Sequence, residues 1–143
     1  PTTTTNKIAN LAIENIDPPE EYLPQSDIKC PYLDNNECII YEIRPLACRI
    51  QLSQQDCGQS KIAVIDEKTM TINTIFQQYI ELLDHDGLSG NIFDLLVHGS
   101  NPVFTSKFIN NEIPKAVMVP PEFREELKQL IKEIHEIIYA GQS

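Results

Sequence analysis

In the C-terminal half of the chain, apolar residues recur every three or four positions, and that spacing predicts helices. After Val119-Pro120-Pro121, the residues Phe123, Leu127, Leu130, Ile131, Ile134, Ile137 and Ile138 fall on one stripe that Gly141 ends. Ile72, Ile75, Phe76, Tyr79, Ile80 and Leu83 make a second amphipathic helix, closed near Gly87. Leu88, Ile92, Phe93, Leu96 and Val97 make a third, with Gly99 after its end. Near the start, Ile8, Leu11, Ala12 and Ile16 keep the same rhythm until Asp17-Pro18-Pro19, with Thr5 or Asn6 as the cap. Core packing accounts for the stripes without any further role.

Between 25 and 60 the rhythm fails. Pro31, Asp34-Asn35-Asn36, Pro45 and Gly58 are turn formers, broken only by the apolar patches Ile39-Ile40-Tyr41 and Leu46-Ala47. So long a stretch without strong periodicity is unusual inside a compact domain and calls for some other organising principle. Smaller features complete the pattern. They are a helical turn over 20–23, a short strand over 61–65 and a segment at 103–109 that fits helix or strand equally. The expected fold is mainly α: a small helical domain with an irregular cysteine-rich segment and at most a short strand or two. A single domain over 1–143 is expected, with the cysteine-cluster segment at 25–60 and the helical part at 66–141.

Composition narrows the function classes. The chain has 143 residues, 41% hydrophobic, enough to bury a core. Its formal charge of −10 repels a nucleic acid, and Arg124, Lys128 and Lys132 alternate with glutamates on one helix instead of forming a basic patch. No apolar run approaches the roughly 20 residues of a membrane span, and no secretion signal is visible. A cytoplasmic protein is expected, with neither nucleic acid nor membrane as partner. The opening at Pro1 fits a processed or trimmed start.

Four cysteines, Cys30, Cys38, Cys48 and Cys57, fall within one 28-residue stretch and none occurs elsewhere. In a reducing compartment clustered thiols read better as metal ligands than as disulfides. Soft thiolates suit Zn(II) or an iron–sulfur centre. The intervals of seven, nine and eight residues contain no C-x-x-C knuckle, and on spacing alone a shared metal and unlinked buried thiols both stay open.

The residues around the cysteines are more specific. Cys30-Pro31-Tyr32-Leu33-Asp34, Cys38-Ile39-Ile40-Tyr41-Glu42, Arg44-Pro45-Leu46 and Cys48-Arg49 closely resemble the core motif of the YkgJ-type cysteine-cluster family, described as a zinc- or iron-chelating domain. The resemblance implies that Cys30, Cys38, Cys48 and Cys57 are thiolate ligands, with zinc favoured over iron or an iron–sulfur cluster. Family members carry further cysteines upstream, a C-x-x-C and a Cys-Cys pair, whereas residues 1–29 have none. Either those ligands precede this sequence or only half the cluster is kept.

Arg44 and Arg49 flank the third cysteine, and two readings apply: their charge lowers the thiol pKa values, or they form surface ion pairs with Glu37, Glu42 or Asp56. Tyr41 reads as a packed aromatic more than a donor to sulfur, and Pro45 as the first residue of a short helix carrying Cys48. His85, within Asp84-His85-Asp86, His98 and His135 read as helix-end or flank residues outside the site. No nucleophile elbow, phosphate loop or H-E-x-x-H sequence is present. Besides a structural metal centre, two other functions are considered. One is an enzyme related to flagellin lysine methylases, whose cluster this one resembles. The other is an interaction module that docks a protein partner on its last helix, with the cysteines merely buried.

Overall fold

The computed structural model describes residues 3–20, 32–35, 37–50, 52–55, 64–92 and 108–140. Its first helix, α1, spans Thr5–Ile13. Thr4 is the cap, one residue before the expected position: its backbone is extended and its hydroxyl accepts from the Lys7 N–H at 3.1 Å. The helix stops earlier than its apolar rhythm suggests. Glu14 and Asn15 turn the chain, Asn15 taking φ 55, a left-handed conformation that asparagine tolerates. Ile16 is therefore past the end and half exposed.

The cysteine segment holds only short elements. Strands β1 (Leu33–Asp34) and β2 (Glu37–Cys38) pair antiparallel, followed by a 3₁₀ turn at Tyr41–Ile43 and one α-helical turn, α2, at Leu46–Arg49. Next comes α3, Glu67–Leu83. Its cap, Asp66, accepts from the Thr69 hydroxyl at 2.7 Å and the Thr69 N–H at 3.0 Å. Those bonds, the hydroxyl's first, hold the Asp66 carboxyl below the ordinary carboxylate range.

After α3 the expected third helix does not begin at Leu88. Leu88–Ser89 forms a strand, β3, antiparallel to β4 at Ile109–Asn110. Gly90 follows directly beneath the Phe108 ring, where any side chain would collide with it. Leu88 has the spacing of a helix with Ile92, but its pairing with a segment twenty residues away puts it in a strand, while Ile92 itself is helical. A 3₁₀ turn at Pro121–Phe123 leads into α4, Arg124–Ala140. The expected features at 21–23, 61–63, 93–99 and 103–107 and the Gly141 stop lie outside the described residues.

The core lies between α3 and α4: Ile75, Tyr79, Leu127 and Ile134 are buried there with Val119, and Ile72, Leu82, Phe123, Leu130, Ile131 and Ile138 pack around them. The contact stripe is narrower than the periodicity suggests. Ile137 is 76% exposed, and Phe76, Ile80 and Leu83 also face outward. Among the described residues the 17-residue α4 packs its buried face toward α3, and one such face leaves the rest of the stripe outside.

Side-chain amides hold the rest. The irregular segment 111–119 is strapped between α1 and α3 by Gln78, whose Nε2 donates to the Met118 carbonyl (3.1 Å) while its Oε1 accepts from the Met118 N–H (2.7 Å). Asn6, fully buried, donates to the carbonyls of Gln78 (3.1 Å) and Glu112 (2.7 Å). Asn10 accepts from the Lys115 N–H (2.7 Å) and donates to the Ile113 carbonyl (3.1 Å). Glu81 reaches across from α3 and accepts from the N–H groups of Thr5 (2.9 Å) and Asn6 (2.7 Å), a carboxylate on the positive end of α1. Among the described residues no helix is long and apolar enough to cross a membrane. The structure is mainly α, with two small two-stranded sheets.

Candidate metal centre

Cys38 and Cys48, both half-buried, are the candidate ligands that the described residues include. Cys30 and Cys57 lie outside them. Cys38 ends β2, directly opposite Leu33, and Asp34 pairs with Glu37 so that two residues make the turn. Asn35 occupies that turn at φ 47, the positive value such tight connections demand. The Ile39 N–H donates to the Tyr32 carbonyl at 3.0 Å. The strand leading in from the Cys30 side and the chain leading on from Cys38 therefore start side by side.

Cys48 is the third residue of α2. The Pro45 carbonyl accepts from the N–H groups of Cys48 (3.0 Å) and Arg49 (3.1 Å), which closes the helical turn around the thiol. Pro45 itself is the cap, φ −56 and ψ 155, one position before the expected one. Asn73 of α3 donates to the Ile50 carbonyl at 2.7 Å and moors the end of α2 to the helical body. Ala47 borders two open clefts of about 440 and 500 Å³, the second lined also by Ile50 and Asn73. The mooring is polar.

Beyond α2 the chain is pinned again. The Gln54 N–H donates to the Val64 carbonyl (2.7 Å), and the Val64 N–H to the Ser53 hydroxyl (3.0 Å). These bonds join residues 53–54 to Val64, on either side of Cys57 in sequence.

The flanking arginines bond main-chain carbonyls. Arg49, exposed, donates from Nε to the Arg44 carbonyl and from Nη2 to the Glu42 carbonyl, each at 2.7 Å. It takes Glu42 by the main chain and not by the carboxylate. Arg44 donates to the Tyr41 carbonyl at 3.2 Å, and its guanidinium lies 3.7 Å from the centre of the Tyr41 ring. Tyr41, 59% exposed, is thus a platform for a cation and not a packed core aromatic. The signal in the sequence was the pairing of Arg44-Pro45 with an arginine four residues on, since Pro45 has no N–H and leaves turn carbonyls in need of donors.

The histidines stand apart. His85 pairs with Asp86 at 3.0 Å in the turn after α3, while His135 packs edge-on to Tyr79 (5.4 Å) and Tyr139 (5.7 Å). His98 lies outside the described residues. Among the described residues no three His, Cys, Asp or Glu side chains gather as a ligand group. Two of the four candidate thiols are not among those residues.

The CxxCxxCC family model, described as "Putative zinc- or iron-chelating domain", matches residues 1–75, more than half of the 143-residue chain. The chain belongs to this family. The resemblance read from the motif around Cys30, Cys38 and Cys48 and the family model agree, and the metal-chelating description covers the hairpin, the arginine-held turn, α2 and the first half of α3. No curated protein and no solved structure matches the chain. The residue types fit the chelating-family description: two soft thiols on β2 and α2, two more cysteines at either end of the same segment in sequence, and arginines near Cys48 in the chain.

Proposed function

We propose that the chain binds one metal ion, Zn(II) in preference to iron, through the thiolates of Cys30, Cys38, Cys48 and Cys57, and that the ion is structural. The observation that carries this reading is the pair Cys38 and Cys48, half-buried on two short elements whose connecting turn is held by side-chain bonds to its own carbonyls. A bound ion supplies a cross-link between segments that bury too little apolar surface to fix one another. Residues 25–60 form the binding segment and 66–141 its helical support, in a reducing, cytoplasmic setting that keeps the thiols available.

Four thiolates on Zn(II) carry a net charge of −2 on a chain already at −10. Arg44 and Arg49, the nearest cations in sequence to Cys48, offset part of that charge while holding the turn. The decisive experiment is metal analysis of protein purified reduced and without oxygen. About one equivalent of zinc per chain is expected, and Co(II) in its place should give the intense visible bands of tetrahedral thiolate coordination. A brown protein absorbing in the visible would replace zinc by an iron–sulfur centre. Less than about a tenth of an equivalent of either metal would sink the reading.

A further inference from the structure

The turn between Cys38 and Cys48 has almost no hydrophobic reason to hold its shape. Ile39 is 65% exposed, Tyr41 59% and Ile43 76%. Among the described residues no buried apolar side chain fixes it, yet its main chain is held at three anchor points. The carbonyl of Tyr41 accepts from Arg44, and those of Glu42 and Arg44 accept from Arg49. Arg49 is adjacent to Cys48 in the same helical turn. Its guanidinium therefore ties the thiol-bearing turn directly to the chain arriving from Cys38.

We infer that Arg49 is the positioning residue of the metal centre, holding Cys48 and the chain from Cys38 in ligand-ready geometry. The inference rests on the metal-binding reading above and deepens it. The physical requirement is a planar fork that donates in two directions at once, from Nε to one carbonyl and from Nη2 to another. A lysine ammonium carries the same charge but cannot reproduce that fork. Charge and geometry can thus be separated by substitution. Arg44 provides the converse control. Removing its side chain deletes a cation from the same turn but leaves in place both carbonyls that Arg49 uses, because they belong to the main chain.

The test is competitive titration of the full chain with Zn(II) against a chromophoric chelator, run for wild type, Arg49→Lys, Arg49→Ala and Arg44→Ala. Arg49→Lys and Arg49→Ala should both weaken Zn(II) binding by roughly 10–100-fold, the usual cost of losing a residue that orients a ligand. Arg44→Ala should weaken it less than Arg49→Lys does. The Co(II) bands of the Arg49 variants should be shifted or weakened at saturation, and the helical melt should stay at the wild-type temperature because Arg49 is exposed. Rescue by lysine, or a larger loss in Arg44→Ala than in Arg49→Lys, would mean the role is charge and would overturn the inference alone. So would wild-type affinity in Arg49→Ala. Failure of the wild type itself to bind Zn(II) or Co(II) overturns both the inference and the metal-binding reading, and the wild-type titration reports that separately.

Discussion

The helical body and the cysteine segment solve the same problem in opposite ways. In the body, apolar side chains go inside and buried amides do the strapping: Ile75 and Gln78 are both fully buried, one packing the core and the other holding the segment at Met118. In the segment, Ile39, Ile43 and Leu52 face solvent, and exposed arginines hold the main chain. The body can be stable through burial alone, at about 25 cal/mol per Å² of apolar surface removed from water. The segment cannot. Hydrogen bonds in water contribute about 1 kcal/mol each against the entropy of ordering the chain, and under the proposed function a metal ion supplies the further cross-link. On the proposed reading stability belongs to one region and ligand chemistry to the other, and each substitution below strains that division.

The largest effect should come from the core. Ile75→Ala removes a fully buried side chain between α3 and α4 and should cost about 2–5 kcal/mol. Thermal and urea denaturation followed by helical circular dichroism measure it. If the two regions are energetically separate, Zn(II) affinity below the melting temperature should stay at its wild-type value, and chelation of the wild type should leave the helical melt nearly unmoved. Parallel losses in both readouts would show one cooperative unit and remove the distinction.

Next comes the carboxylate that joins α1 to α3. Glu81 accepts from the N–H groups of Thr5 and Asn6, and Glu81→Ala leaves both donors without that partner. A cost of about 1.5–3 kcal/mol is expected for hydrogen bonds to a charged group. Hydrogen exchange should show lost protection over α1 first, with α4 unaffected. Glu81→Gln, which keeps an acceptor, should lose less. Equal losses in the two variants would mean that charge at the helix end matters more than the bonds.

Much of this contrast could be read in the sequence, and the parts that could not share a cause. Periodicity located α3 and α4 because each buries one face against the other, and burial is what periodicity records. It overran α1, because Asn15 ends that helix by its own backbone conformation while Ile16 keeps the rhythm. It also misread Leu88, which pairs with Asn110 far along the chain. The strap at 111–119 was invisible for a related reason: Asn6, Asn10 and Gln78 hold it through contacts across as many as 106 sequence positions. In the cysteine segment the reverse holds. Residue identities carried the chemistry and the family, while the geometry depends on arginines bonding carbonyls, and a carbonyl has no letter in the sequence.

A smaller effect is expected where the two regions meet. Asp66 caps α3 and also accepts from Gln54 of the cysteine segment at 3.3 Å. Its carboxyl is held below the usual range by the Thr69 hydroxyl and N–H. The folded state therefore binds this proton more weakly than the unfolded chain. The contribution is fully present above the unfolded value near about 3.9 and is lost as pH falls through the lower folded value. Asp66→Asn keeps an acceptor for the cap but has no proton to gain. Its urea midpoint should fall less steeply than the wild type's as pH drops from 5 to 3. Matching slopes would show that Asp66 is not part of the acid response.

The smallest effect should come from the place where the body breaks its own rule. Tyr79 is 2% exposed, and its hydroxyl, like Thr3 Oγ1 and Asn6 Oδ1, has no hydrogen-bond partner among the described residues. A buried hydroxyl without a partner costs roughly 1–3 kcal/mol of desolvation, which Tyr79→Phe relieves while keeping the ring edge-on to His135. A small void where the oxygen was works the other way. The net change at pH 7 should lie between about zero and 1 kcal/mol of added stability. Burial, and then Tyr139 nearby, push the Tyr79 phenol above its ordinary value. The folded wild type thus resists ionising, and its stability is complete below about pH 10 but declines as pH rises toward the folded value. Phenylalanine has no such decline. The advantage of the variant should widen above pH 10, read as the difference in urea midpoints at pH 7 and pH 10.5. A loss of more than about 1 kcal/mol at pH 7 would mean the hydroxyl has a partner in solution, and the body would then depend on polar anchoring at its centre as the cysteine segment does throughout.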